Sequence, residues 1–153
     1  MSLDPTKVFQ SPCHLYLAAR SDRDTAVSHE EATGWDDIGL LKPKSAKNKQ
    51  TELTFKSHIG QHQFAVKNEF EVSALETDST KKEIIEAAIG KRCDIILKPL
   101  FGTRCWKVKA GEFMATLSGE ASEDDALSYD LKTNAVGTLP SDCFEEIEIA
   151  WSL

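Results

Sequence analysis

Paired cysteines, a basic surplus and a long apolar run are all missing from this 153-residue sequence. Its four cysteines, Cys13, Cys93, Cys105 and Cys143, are far apart, and none forms a C-x-x-C pair. Zinc sites normally draw on such close pairs, so no structural metal is expected. The thiols read as residues half-buried in strands. No apolar run approaches the ~18 to 20 residues needed to cross a bilayer as a helix, so no membrane partner is expected. The opening MSLDPTKVFQSP has no apolar core of a signal peptide, and a cytoplasmic site of synthesis is expected, where disulfides are disfavoured. Lys and Arg number 18 against 25 Asp and Glu, giving a formal charge of -7 and a pI near 5.1. That balance disfavours a dedicated nucleic-acid binder but leaves room for local basic patches. Also lacking are G-x-S-x-G, H-E-x-x-H and any phosphate-cradling glycine loop. No enzyme and no cofactor is expected.

What is present is ordinary hydrophobic content, 41%, in a length that suggests a single domain over 1–153. The apolar residues recur mostly every second position, the spacing of half-buried strands. CHLYLAA (13–19) alternates Cys13, Leu15 and Leu17 against His14 and Tyr16, which predicts a strand with one core face. WDDIGLL (35–41) is a short strand. TELTFKSHI and HQFAVK flank Gly60-Gln61 as a hairpin. NEFEVSALE (68–76) sets Phe70, Val72 and Ala74 against Glu69, Glu71 and Ser73. CDIILK, RCWKVKA, EFMATLSG, ALSYDLKT and CFEEIEIAW supply further strands. Segments 20–34 and 41–50 are expected to be long loops, the first polar and unpatterned, the second basic.

One helix interrupts this pattern, at residues 80–89. Thr80 and Glu83 make a T-x-x-E capping box, and Ile84, Ile85, Ala88 and Ile89 share one face. Gly90 suits the left-handed stop position, with Lys91 and Arg92 complementing the negative C-terminal end. About ten residues are too few for a lone helix, so the stripe must pack on a sheet. The predicted fold is mainly β: a β-sandwich or partial barrel of about eight or nine strands with one flanking helix.

Candidate chemistry is thin. His58 and His62 have helical zinc spacing, but Gly60 lies between them and their flanks read as strands, so a pair across a turn is expected. Adjacent carboxylates such as Asp36-Asp37 and Glu145-Glu146 point to opposite faces of a strand and cannot oppose each other across a cleft. Charge is instead segregated by segment. The loop of Lys42, Lys44, Lys47 and Lys49 is basic; the turn of Glu120, Glu123, Asp124 and Asp125 is acidic, as is the run holding Glu146 and Glu148. On a monomer these are solvated faces. Between copies, a basic loop can meet an acidic turn and set register.

The order of elements resembles the tail tube proteins (major tail proteins) of tailed bacteriophages. The matching items are the early strand CHLYLAA, the Trp35 to Gly39 segment, the long basic connection, and paired strands leading into EVSALETDSTKKEIIEAAIG. The resemblance spans about residues 10–151 of this sequence and implies a tail-tube-like β-sandwich. It implies a virion protein, assembled in the host cytoplasm into stacked hexameric rings through which DNA passes without specific binding. Other tail proteins follow as partners: a tape measure, a tail terminator, and a baseplate or tail-tip hub. A DNA-conducting lumen should hold phosphate weakly, so Glu69, Glu71 and Ser73, or alternatively Glu146 and Glu148, are candidates to line it. The basic loop and acidic turn become candidate contacts between subunits. A ring-forming tail-end or secretion-tube component of the same fold is a second reading. A monomeric carbohydrate-binding β-sandwich is a third; it would need Trp35, Trp106 or Trp151 in an exposed platform.

Overall fold

The structure, a computed structural model, describes residues 13–21, 25–41, 46–75, 79–99, 104–118, 128–149 and 151. The elements in chain order are β1 (Cys13–Ala19), β2 (Asp36–Leu40), β3 (Lys47–Ser57), β4 (Gly60–Ala74), α1 (Ser79–Ala88), β5 (Arg92–Pro99), β6 (Arg104–Ser118) and β7 (Ser128–Gly137). A 3-10 turn (Pro140–Asp142) and β8 (Phe144–Glu148) follow. The eight strands form one sheet in the order β2-β1-β5-β6-β7-β4-β3, with β8 also on β6. Every pairing is antiparallel. Among the described residues the fold is therefore the mainly β partial barrel with one helix that the alternating pattern predicts.

Curvature brings β2, one end of the sheet, round to β4, the strand next to the other end. At the end of β2, Leu41 bridges Ala74 of β4, and the Leu75 amide donates to the Leu40 carbonyl at 3.0 Å. Among the described residues this contact is one bridge, not a ladder, and there the barrel is only partly closed. Its interior is filled by Leu15, Leu17, Ile38, Phe70, Val72, Ile95, Leu97, Trp106, Phe113 and Leu131. Helix α1 adds Ile85 and Ala88 to this core. It touches both β2 and β6, strands that are not neighbours in the sheet, so it lies across the interior and not along one strand pair.

Most element boundaries fall where the periodicity puts them, and several differ for physical reasons. The helix starts at Ser79, so Thr80 stands inside its first turn and not ahead of it. Ser79 and Thr80 are adjacent residues of the same capping type, and the helix takes up both. Gly90 does adopt the left-handed conformation, φ +82°, and its amide donates to the Phe113 carbonyl at 3.0 Å. The hairpin turn is His58-Ile59, two residues before Gly60-Gln61, because Ser57 already pairs with Gly60. The stretches HQFAVK and NEFEVSALE merge into the single strand β4, and RCWKVKA and EFMATLSG into β6.

β6 organises the sheet. Its second half pairs with β7 and its first half with β8, so β7, the 3-10 turn and β8 act as one interrupted strand along its length. Between the halves, β6 carries an extra residue relative to β5, since Val108 pairs with Ile95 and Gly111 with Cys93. The bulge switches which residues face inward, from Trp106 and Val108 to Phe113 and Ala115. Thr133 is buried beside Gly111, and its hydroxyl finds no partner among the described residues. Thr133→Val should therefore raise stability by about 1 kcal/mol, because a methyl replaces an unsatisfied donor of similar size. A urea titration measures this, and a variant less stable than the parent would mean the hydroxyl has a partner after all.

Candidate functional site

The outer face of the sheet divides into a covered half and a bare half. The covered half comprises β1, β5, the start of β6, and β8. Residues 25–35 run over it, and Tyr16, Ala18, Trp35, Ile96, Cys105, Ile147 and Ile149 pack into a second core there, with Val27 and Trp151 against it. β1 is thus buried on both faces, where one core face is the sequence expectation. The segment read as an unpatterned polar loop is, over 25–35, held by side chains rising from the strands beneath.

Those side chains are charged and buried. Asp94 is 0% exposed and receives the Arg20 guanidinium in a forked contact, Nη2 to Oδ1 at 2.9 Å and Nε to Oδ2 at 3.2 Å. Its Oδ2 also accepts the Val27 amide at 2.8 Å. Lys107, 3% exposed, donates from Nζ to the Val27 carbonyl at 2.7 Å. Nζ also meets His29 Nδ1 at 3.3 Å and lies 5.7 Å from the centre of the Trp35 ring. The indoles complete the attachment: Trp35 Nε1 donates to the Ser28 carbonyl and Trp151 Nε1 to that of His29, both at 2.8 Å. Burial, only partly offset by Asp94, lowers the Lys107 ammonium below its ordinary value. This is a structural anchor.

The bare half comprises the end of β6 with β7, β4 and β3. Here the sequence candidates meet in an unexpected way. Lys47 and Lys49 are not in a loop; they open β3 and stand directly across from Glu71 and Glu69. The basic segment pairs as a strand because its lysines alternate with Asn48 and Gln50 and oppose carboxylates. On the inward side, Asn48 and buried Asn68 exchange amide hydrogen bonds at 3.0 and 3.1 Å, which fixes the register. Lys67 reaches Glu69 at 3.3 Å, Lys132 reaches Glu71 at 3.6 Å, and Ser73 Oγ bonds Asp130 Oδ1 at 2.7 Å. The face is an alternation of signs, not an acidic surface. Half-exposed pairs of this kind add little stability.

Glu146 and Glu148 lie elsewhere. Glu146 pairs with Trp106, so it is on the core side of the sheet, whereas Glu69, Glu71 and Ser73 alternate with the core residues Phe70 and Val72. The two candidate sets occupy opposite faces and cannot share one lining. Lys42, Lys44, Glu120, Glu123, Asp124 and Asp125 lie outside the described residues.

Beyond the barrel, the hairpin continues as a ribbon. β7 covers β4 only from Val66 onward, so Gly60 to Ala65 pair with β3 alone. The ribbon carries large apolar side chains in water: Phe55 is 52% exposed, Phe64 54% and the turn residue Ile59 77%. Phe55 gathers His62 and Phe64 at ring-centre distances of 5.2 and 6.1 Å. A bulge between Leu53 and Thr54 redirects the ribbon where it leaves the body. Nothing in the periodicity marks this; the signal was the pair Phe55 and Phe64 flanking a turn at fixed offsets.

Sites for small-molecule chemistry are not gathered in this way. His58 and His62 do not converge on a third ligand, and no group of three metal-capable side chains forms among the described residues. The cysteines are buried and in no disulfide among the described residues, and burial pushes the Cys13, Cys93 and Cys105 thiols up to about 11, so they stay protonated at neutral pH. A shallow depression of about 230 Å³ is lined by Lys67, Arg92, Glu112, Asn134, Ala135 and Val136 on the bare face. Trp35 and Trp106 are buried and Trp151 is half-buried, so the tryptophans offer no platform for a sugar. No family model matches the chain, and no curated protein matches it.

Proposed function

We propose that this chain is a structural subunit that polymerises with copies of itself, as the repeating unit of a phage tail tube built from stacked hexameric rings. The observation that carries the reading is the projecting ribbon. A two-stranded hairpin is marginal alone, and one that displays Phe55, Ile59 and Phe64 needs a surface to cover them. A second copy is the simplest such surface. Among the described residues β3 also ends the sheet, and edge strands invite pairing with a neighbour. The bare face with Glu69, Glu71 and Ser73 is the candidate lining of the channel. Its alternating charges would let phosphate pass without a continuous basic track to hold it.

Negative-stain microscopy and sedimentation across protein concentration and salt test the reading. Wild-type protein should form rings or tubes with a central channel. A Phe55→Ser/Phe64→Ser variant should remain monomeric with a melting temperature within about 2 °C of the parent, since both rings are largely outside the core. Single rings that never stack would favour a ring-forming tail-end component. A wild-type chain that stays monomeric under every condition would overturn self-assembly.

A further inference from the structure

The covered half of the outer face has a property separate from assembly. Residues 27, 28 and 29 are each attached through the main chain, and the attachment converges on Lys107 and His29. Lys107 Nζ donates to the Val27 carbonyl and faces His29 Nδ1, which can accept only while the imidazole is neutral. A proton on Nδ1 would turn that acceptor into a second cation, 3.3 Å from a buried ammonium. We infer that residues 25–34 form a proton-released strap: protonation of His29 detaches it from Lys107 and uncovers the apolar face of Tyr16, Trp35, Ile96 and Ile147.

The surroundings set the direction. Burial lowers His29 from its ordinary 6.5, and Lys107 and Lys109 on β6 push it the same way. Glu145 on β8 and Glu30 on the strap itself oppose them. Asp94 and Arg20 act on Lys107 in opposite directions, and Asp94 also holds the Val27 amide. The folded state therefore prefers neutral His29. The closed strap keeps its full stability above pH 6.5 and loses it as pH falls from there toward the lowered folded value. Within that window the opening equilibrium rises by up to about tenfold per pH unit.

The three indole N–H groups provide the readout. Those of Trp35 and Trp151 donate to strap carbonyls, while that of Trp106 is buried in the inner core without a partner among the described residues. In NMR spectra between pH 7.5 and 5.0, corrected for intrinsic exchange, Trp35 and Trp151 should lose protection several-fold while Trp106 holds. The midpoint should coincide with the titration of the His29 ring in the same sample. His29→Gln keeps an acceptor but cannot gain the proton, and its protection should stay flat. Loss of protection at Trp106 in step with the other two, or a midpoint unrelated to His29, would overturn the proposal. So would a His29→Gln protein that opens like wild type.

Discussion

Replacing Asp94 with Ala will destabilise the fold by about 3–5 kcal/mol, the usual cost of removing one partner from a buried ion pair. The size follows from what remains. Arg20, whose side chain is only 7% exposed, keeps its charge but loses both ends of its fork, and the Val27 amide loses its acceptor. Lys107 loses the carboxylate that most favours its charge, so three groups suffer at once. The pair is not for that reason worth 3–5 kcal/mol relative to a greasy substitute, because both charges also lose hydration on folding. An Arg20→Met/Asp94→Leu protein should accordingly recover much of the loss. Urea unfolding of the parent, the single variant and the double variant separates these effects. A single variant within about 1 kcal/mol of the parent would mean that water reaches Arg20 and that the anchor is not a buried one.

Gly111→Ala carries the second large effect, about 3 kcal/mol of destabilisation, near the top of the range for overpacking a core. A β-carbon at Gly111 would fall 2.2 Å from the Thr133 Cβ and 2.8 Å from its Oγ1. The nearer atom cannot swing aside, since it is fixed to the backbone of β7. The two strands must separate where the β6 bulge meets β5. The identity of the obstacle gives a sharp control. Thr133→Ala retains the offending Cβ and should not rescue the variant, whereas Thr133→Gly removes it and should restore part of the stability. Rescue by Thr133→Ala would place the clash at the hydroxyl or the methyl instead. Thermal unfolding of the four proteins decides.

The sequence and the structure agree where one side of an element is buried and the other is wet. Phe70, Val72 and Ala74 against Glu69, Glu71 and Ser73 needed only period-two reading, and α1 was legible from Ile85, Ala88 and its glycine stop, whereas Ile89, read onto the same stripe, lies past the helix end and is 46% exposed. Agreement failed where both sides are buried, because alternation then disappears. Asp94 in CDIILK and Lys107 between Trp106 and Val108 look like ordinary outward charges. They are buried because residues 25–35 cover them, and that cover is remote in sequence from both. A lone charge inside an apolar strand was the available signal, but it does not name its partner. Lys47 and Lys49 failed for a different reason: a strand of alternating lysine and amide has no apolar signature, and only the register against Glu71 and Glu69 makes it a strand. The exposed ribbon was half legible, as a hairpin without its reach, since length beyond β7 depends on where a distant strand stops.

The single bridge between Leu41 and Ala74 has a consequence for how the subunit bears load. Elsewhere around the wall, neighbouring strands share ladders, so displacement of one is resisted by many bonds acting together. At this seam, among the described residues, resistance comes from one bridge, one amide and the side chains packed behind them. Stress applied around the circumference will therefore gather there, and the wall can change its girth by opening a slit without unravelling a strand. A shell assembled from such units would be stiff along its strands and compliant across them.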